Sequence, residues 1–306
     1  MKTPYILPAV MLCTALLAGG APGQDDTTST DTSDVLRAVR LDIVLGAGDL
    51  REPLGLAVDD RGFVLVADAM AGKVYRYSPE GASLEFEVPH LDAGFYPIDV
   101  AAQGTVIYVL DYAGNRALRY GYKGAYLDVL LDFSLFSRMK PASLTMSTGG
   151  RLLTTDLERH TVTVWSPLLD IEIQTGEYGW ADGSFEKPVK AALFGDEKIA
   201  VAEFGNSRVQ ILGGSGGFEG YAVLAGGARM GSPRYVCGGL DGYLFVADPG
   251  KGLVYGFTPS LEHVLTIGEG EDIRPSAVAV SWDYRLYVAD LRTRSILVYR
   301  LDYPGK

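Results

Sequence analysis

The amino-acid sequence predicts an all-β fold built from six copies of one unit. Short apolar runs rich in Val, Leu, Ile and Tyr are bounded by Gly, Asp and Pro, which is typical of strands. After residue 35, no apolar stripe of about twelve residues at helical spacing appears. Self-similarity along the chain repeats every 42 to 47 residues, and a regular repeat of this kind determines the architecture.

Two spacings define the unit. An acid ends one apolar run in each copy, and a large apolar residue follows nine positions later; the six pairs are Asp68 and Tyr77, Asp111 and Tyr120, Asp156 and Trp165, Glu203 and Leu212, Asp248 and Phe257, and Asp290 and Tyr299. Fourteen or fifteen residues before each acid stands a proline: Pro53, Pro97, Pro141, Pro188, Pro233 and Pro275. A unit of this length with four short strands is the size of one propeller blade, so the sequence predicts a six-bladed β-propeller.

The four strands of a unit can be named A to D. Strand A follows the proline, B ends on the acid, C ends on the large apolar residue, and D follows C. The last unit has no D strand before the chain ends, whereas residues 39 to 46 (VRLDIVLG) form a strand pattern that precedes the first A strand. We therefore expect this N-terminal strand to complete the last blade, since closing the ring removes a sheet edge.

Strand A carries small side chains on one face. Alternate residues of a strand point to opposite sides, and the fourth residue after each proline is small: Ala57, Ala101, Thr145, Ala192, Cys237 and Ala279. Larger residues such as Leu56 and Val100 stand one position earlier. Sheets that converge on a central axis leave little room at the innermost strand, so this pattern favours a closed ring.

The N-terminus has the composition of an export signal. Residues 1 to 23 contain one lysine, an apolar stretch too short to span a membrane, and small residues before Gln24. Lipidation at Cys13 is an alternative, although Leu12 precedes it where a small residue is expected. Residues 24 to 35 are polar and acidic and form a flexible leader, and residues 36 to 306 form the propeller. We expect a periplasmic or extracellular protein, and the lack of an Asn-x-Ser/Thr sequon favours a bacterial source.

Charge and cysteine content limit the classes of partner. The formal net charge is −11, which disfavours binding to nucleic acid and to anionic lipid. Cys237 is the only cysteine after the signal, so no intramolecular disulfide can form there, and its position in strand A predicts a buried, unreactive thiol. We expect a monomer without a membrane span or cofactor.

One segment resembles a known repeat family. Residues 178 to 212 (YGWADGSFEKPVKAALFGDEKIAVAEFGNSRVQIL) contain Asp182, Gly183, Phe185, Pro188, Asn206, Arg208 and Val209 at the positions typical of the NHL repeat, with Glu203 in place of its aspartate. The other five units match more weakly; only Asn115 and Asn206 keep the asparagine. The resemblance implies a six-bladed propeller and leaves function open, because propellers carry out many activities.

Some six-bladed propellers are enzymes, so we compared their catalytic residues with the residues of this chain. The repeated acids are best interpreted as hydrogen-bonding caps of the B–C turns, since Asp accepts from nearby backbone N–H groups in turns. Lactonase-like relatives of the fold hold a divalent cation through Glu and Asn or Asp beside the prolines, and that set is absent here. Lyase-like relatives need converging histidines around zinc, whereas His90, His160 and His263 fall at three different phases of the repeat.

Charged residues beside the prolines predict a binding site. Equal phase places residues at equal height on the ring, so these residues should surround one mouth of the channel, which we call the entrance. It is predicted to contain Glu52, Tyr96, Asp99, Lys140, Lys187, Lys190, Ser232, Arg234, Tyr235 and Arg274. Five bases and two acids within an acidic protein suggest a site for an anionic small molecule or acidic peptide, with Lys140, Lys187, Lys190, Arg234 and Arg274 as charge partners and Tyr96 and Tyr235 as stacking walls.

Three interpretations of function follow. The first is a non-enzymatic binding or protein-interaction propeller, with the entrance either as its ligand site or as an ordinary solvated rim. The second is a divergent metal-dependent lactonase or lyase of the same fold. The third, nucleic-acid binding, is disfavoured by the acidic charge and the export signal.

Overall fold

Each sequence unit forms one four-stranded antiparallel sheet in the computed structural model, which describes residues 36–91, 94–195 and 197–305. The predicted signal and leader lie outside the described residues. Blades 1 to 3 comprise, from strand A to strand D, Pro53–Val58, Val64–Asp68, Lys73–Tyr77 and Ser83–Glu85; Pro97–Gln103, Val106–Asp111, Arg116–Gly121 and Tyr126–Asp132; and Pro141–Met146, Leu152–Asp156, Thr161–Trp165 and Ile171–Thr175.

Blades 4 and 5 have the same order. They comprise Pro188–Phe194, Lys198–Glu203, Arg208–Leu212 and Phe218–Tyr221; and Tyr235–Gly238, Leu244–Asp248, Leu253–Phe257 and His263–Ile267. Three short 3-10 turns, Phe133–Leu135, Ala225–Gly227 and Leu240–Gly242, lie between strands. No helix in the part of the chain that the structure describes has the length and apolar character needed to cross a membrane.

The sixth blade closes the ring with strands from both ends of the chain. Pro275–Val280, Arg285–Asp290 and Ser295–Asp302 supply strands A, B and C, and Arg37–Leu45 pairs antiparallel with the last of these. Arg40 lies opposite Tyr299 and Val44 opposite Leu297, with an irregularity between them. The predicted closure by the N-terminal strand is thus confirmed, and blade 6 is left without an unpaired edge at strand C.

The hydrophobic core lies between neighbouring blades. Between blades 1 and 2, for example, Leu65 and Val74 pack against Val100 and Ile107, and equivalent clusters fill the other wedges. The large residue that ends strand C is buried in every blade, at 2% exposure or less: Tyr77, Tyr120, Trp165, Leu212, Phe257 and Tyr299. The large residue nine positions after each repeated acid is therefore a packing position. Burial of these six side chains contributes strongly to the stability of the fold.

The direction of the strands divides the propeller into two faces. Strand A starts at its proline and strand B ends on its acid at the same end of the blade, so the D–A connections and B–C turns share one face, which we call the acid face. The A–B and C–D turns form the opposite face. In blades 1, 2, 3, 4 and 6 the pairing of strands A and B is irregular just after the proline.

Candidate functional site

The repeated acids hold the backbone of the acid face in place. In blade 6, Asp290 accepts hydrogen bonds from the backbone N–H groups of Arg292 and Thr293 in the B–C turn, which is the predicted cap. It also accepts from the N–H of Arg274, directly before the strand-A proline, at 2.7 Å. Asp68 and Asp248 make the same two kinds of contact. Each carboxylate therefore joins two loops.

In two blades, side chains replace the backbone donors of the turn. Asp111 accepts from the Tyr96 N–H and from the Arg116 guanidinium. Glu203 accepts from the Glu186 N–H and from the side chains of Asn206, Arg208 and Gln210. All six repeated acids are 3% exposed or less. A carboxylate buried with this many donors is part of the architecture and has little capacity left for chemistry.

Three of the predicted entrance bases are exposed on the acid face. Lys187, Arg234 and Arg274 belong to the consecutive blades 4, 5 and 6, and each stands directly beside a strand-A proline. Partial burial raises the pKa of Tyr96, and Glu52 adds to that rise, whereas the positive charge of Arg234 opposes it. Arg234 therefore acts across the channel on a residue of blade 2. Arg234 thus lies near Tyr96, and Lys187 and Arg274 lie on the same face of the ring.

Lys140 and Tyr96 are partly engaged by neighbours. The Lys140 Nζ donates to the Tyr112 carbonyl at 2.7 Å and lies 4.1 Å from the centroid of the Tyr112 ring. The Tyr96 hydroxyl donates to Glu52 at 3.1 Å, and Tyr96 remains 37% exposed. Glu52 therefore has a hydrogen-bond partner within the entrance and keeps its negative charge beside the three exposed bases.

Lys190 and Tyr235 occupy a different place from the one predicted. They are 4% and 5% exposed, and they meet Asp99 on the channel axis below the entrance. The Lys190 Nζ lies 2.6 Å from the Asp99 Oδ2, and the Tyr235 hydroxyl lies 2.7 Å from the Asp99 Oδ1. These three residues come from blades 4, 5 and 2, so they cross the whole channel, and we call them the axial triad.

The axial triad is further tied to backbone groups of other blades. Lys190 donates to the Leu144 carbonyl, and the Leu144 N–H donates to Asp99. The Tyr235 hydroxyl, which donates to Asp99, accepts from the Leu56 N–H at 3.3 Å, and the Tyr235 ring lies 4.4 Å from the Lys190 Nζ. Gly55 makes this approach possible, because a side chain there would meet the Asp99 backbone at 2.5 Å. Five blades are thus connected at the axis.

Burial dominates the electrostatics of the triad. Removal from water lowers the pKa of Lys190, and the Asp99 carboxylate opposes that shift. Burial, reinforced by Asp99, raises the pKa of Tyr235 well above its usual value. Burial also raises the pKa of the nearby Cys237 thiol to about 12, so this thiol is neutral at physiological pH. The residue lines the channel and is partly exposed there, whereas the sequence predicted a buried thiol.

A cavity of about 520 Å³ begins at the triad and runs to the opposite face. All six small residues of strand A line it: Ala57, Ala101, Thr145, Ala192, Cys237 and Ala279. Lys190 and Tyr235 also line it, whereas no strand-A proline or immediate neighbour of a proline does. The small face predicted from the sequence therefore surrounds a cavity, and the triad separates that cavity from the entrance.

The axis does not have the donor set of a calcium or zinc site. Calcium takes six to eight oxygen ligands, and the one carboxylate at the triad level, Asp99, is already paired with an ammonium group. Among the described residues, no three His, Cys, Asp or Glu side chains converge in a way that could hold a metal ion. His160 accepts from the Lys187 N–H, and His263 lies near Thr266 in blade 5.

The spacing of Asp99 from its proline is a sequence signal for its place on the axis. Asp99, Lys190 and Tyr235 all stand two residues after a proline, at the same strand phase as the small residues that line the channel. Equal phase predicts that all three point inward. It does not show that their side chains are long enough to meet across the ring, and that contact defines the site.

Comparisons with known proteins identify the fold. No known family profile matches the chain, and no curated protein does; the likeness to NHL repeats therefore remains a prediction. A streptogramin B lyase structure has a TM-score of 0.63 at 16% identity, over 87% of this chain and 97% of that one. A gluconolactonase from Xanthomonas campestris has a TM-score of 0.67 at 14% identity, over 88% and 95%.

A protein-binding assembly is also among the similar structures. A chain of a nidogen–laminin complex has a TM-score of 0.56 at 18% identity, over 71% of this chain and 80% of that one. At these identities the likeness shows the six-bladed propeller fold and carries no residue-level role across.

The axial ion pair predicts a large and coupled effect on stability. Lys190→Met should lower the free energy of unfolding by about 3–5 kcal/mol, because it leaves the Asp99 carboxylate buried without its cation. The double variant Asp99→Asn/Lys190→Met should cost less than the sum of the two single variants, since both charges are removed together. Chemical denaturation of the four proteins measures this coupling.

Lys198→Met is the matched control for this experiment. Lys198 lies 3.8 Å from Glu219 in an exposed pair, so its loss should cost no more than about 1 kcal/mol. Equal effects of Lys190→Met and Lys198→Met would show that the axial pair is unimportant for stability.

Proposed function

We propose that this protein is a non-enzymatic propeller that binds a ligand or a partner protein at the entrance. The observation that carries the proposal is the separation of charge on the acid face. The six repeated acids are buried in hydrogen bonds, whereas Lys187, Arg234 and Arg274 are exposed beside the prolines. Exposed bases around one mouth of the channel, in a protein of net charge −11, favour an anionic partner.

The anionic partner would be a small molecule or an acidic peptide. Lys187, Arg234 and Arg274 would pair with its negative groups, and the exposed ring of Tyr96 would pack against it. Lys140 would contribute from its position on Tyr112. Lys190 and Tyr235 support this site from below, by closing the channel under it, and they do not contact the ligand.

We propose that the protein acts outside the cytoplasm. The support is the pattern of residues 1 to 23, which combines a basic start, an apolar stretch and small residues before Gln24. When the full chain is expressed in a bacterium, the protein recovered from the periplasm or medium should have the mass of residues 24–306. Recovery of the full-length chain from the cytoplasm would contradict export. A recovered chain that begins with a lipid-modified Cys13 would show that the protein is lipidated and is not cleaved before Gln24.

Charge reversal at the entrance should abolish binding of an acidic peptide. A fluorescently labelled oligoglutamate peptide is the probe, and fluorescence anisotropy at several salt concentrations is the measurement. We expect Lys187→Glu/Arg274→Glu to weaken binding by about tenfold or more, because each substitution replaces an attraction with a repulsion.

The control changes the net charge equally on the other face. Lys123 and Lys198 belong to the C–D turn of blade 2 and the start of strand B of blade 4. Lys123→Glu/Lys198→Glu should have a small effect that salt suppresses. An equal loss in both double variants, or no binding by the wild type, would rule out the entrance as the site.

A lactonase or lyase is the second candidate. The observation in its favour is that a streptogramin B lyase and a gluconolactonase have the same fold over most of their length. Such an enzyme would need a metal or an acid and base in the channel. The axial triad supplies neither in a free form, because its carboxylate, ammonium and phenol groups are hydrogen-bonded to one another or to the backbone.

Metal content and turnover distinguish the two candidates. For protein purified without chelators, the binding proposal predicts well below one calcium or zinc ion per chain by elemental analysis. It also predicts no hydrolysis of gluconolactone and no opening of a streptogramin B ring when calcium or magnesium is added. One tightly bound ion per chain, or metal-dependent turnover that a chelator removes, would favour the enzyme.

A further inference from the structure

The cavity beyond the axial triad is not symmetric about the channel. Blades 1, 2, 5 and 6 contribute only residues of strand A to its lining. Blades 3 and 4 contribute more, because Ser147, Thr148 and Glu197 of their A–B turns and Pro167 and Gly214 of their C–D turns also line it. The cavity therefore has a central shaft and a side branch that extends outward between these two blades.

The walls of the branch are apolar and its outer end is polar. Met146, Leu153, Leu193 and Ile199 line the interior, while exposed turn residues line the surface opening. A volume of about 520 Å³ is within the range of sites that hold small molecules. An elongated molecule could thus place an apolar body in the shaft and branch.

The inner end of the cavity is polar but has no uncompensated charge. Asp99 and Lys190 form an ion pair there, and their formal charges sum to zero. An ionic ligand would lose its hydration without gaining an unpaired countercharge, which is costly at a buried position. The shaft therefore disfavours both anions and cations.

One hydrogen-bond donor remains at this inner end. The Lys190 ammonium group donates to Asp99 and to the Leu144 carbonyl. Among the described residues, no oxygen accepts from its third N–H, and the side chain lines the cavity. The face of the Tyr235 ring, 4.4 Å from the Lys190 Nζ, is a weaker partner than an oxygen acceptor. An uncharged ligand oxygen that accepts this hydrogen bond would satisfy the third N–H of Lys190. It would add no net charge to the inner end of the cavity.

We propose that the cavity is a second binding site, separate from the entrance. It takes a neutral, mainly apolar small molecule that enters between blades 3 and 4 and presents a carbonyl, ether or hydroxyl oxygen to Lys190. The site opens on the face opposite the repeated acids, so it does not depend on the function proposed for the entrance.

A matched pair of fluorescent probes tests the ligand class. Prodan is a neutral dimethylaminonaphthalene with a ketone, and dansylate has a related aromatic body with a sulfonate. We expect saturable binding of prodan to the wild-type chain, with a blue-shifted emission, and binding of dansylate that is weaker by about tenfold or more. Absence of prodan binding, or dansylate binding of equal strength, would overturn the proposal.

Cavity-filling variants test the location. Ala57→Phe obstructs the shaft and Met146→Trp obstructs the branch, and both residues are partly exposed to the cavity. Each should weaken prodan binding by about tenfold or more, while Ala82→Phe, which adds the same ring to an exposed C–D turn residue, should not. Unchanged prodan affinity in both cavity variants would refute the location, and two separate positions guard against one variant failing to fold.

The two sites can be separated with the same proteins. Lys187→Glu/Arg274→Glu should leave prodan binding unchanged, and Ala57→Phe should leave binding of the acidic peptide unchanged. Loss of prodan binding on charge reversal at the entrance would place the probe there and would contradict a second site.

Discussion

The hydrogen bonds of one buried carboxylate per blade determine how the acid face is built. Each joins the end of strand B to the backbone one residue before the strand-A proline, or two residues before it in blade 4, so the same kind of contact positions every strand-A proline. Because the prolines share a height, the residues that follow them share levels on the axis. The entrance, the axial triad and the ring of small residues are three successive levels of this arrangement.

The axial triad divides the channel into two chemically different spaces. On one side the six repeated acids are buried in structural hydrogen bonds, and Lys187, Arg234 and Arg274 are exposed. On the other side, small and apolar residues surround a cavity whose inner end carries an ion pair of zero net charge. Lys190 pairs with Asp99 at 2.6 Å, and the two formal charges compensate each other. The same pair therefore stabilises the ring and limits what either space can bind.

Similarity of fold and similarity of site lead to different conclusions here. The chain shares its six-bladed architecture with a lyase, a lactonase and a chain of a protein complex, all at 14–18% identity. Propellers support many activities, because the scaffold leaves the channel residues free to vary. The residues of the axial triad pair with each other, and this pairing differs from a free donor set that could hold a metal ion.

The sequence alone determined the number of blades, their boundaries, the closure by the N-terminal strand and the small inner face of strand A, because these follow from spacing and from strand periodicity. It also predicted that Lys187, Arg234, Arg274 and Tyr96 lie at one mouth. Only the tertiary structure decided that Lys190 and Tyr235 lie on the axis with Asp99, and that the cavity branches between blades 3 and 4. Periodicity gives the side to which a residue points, whereas the distance that a side chain spans across the ring depends on how close the opposing blades approach.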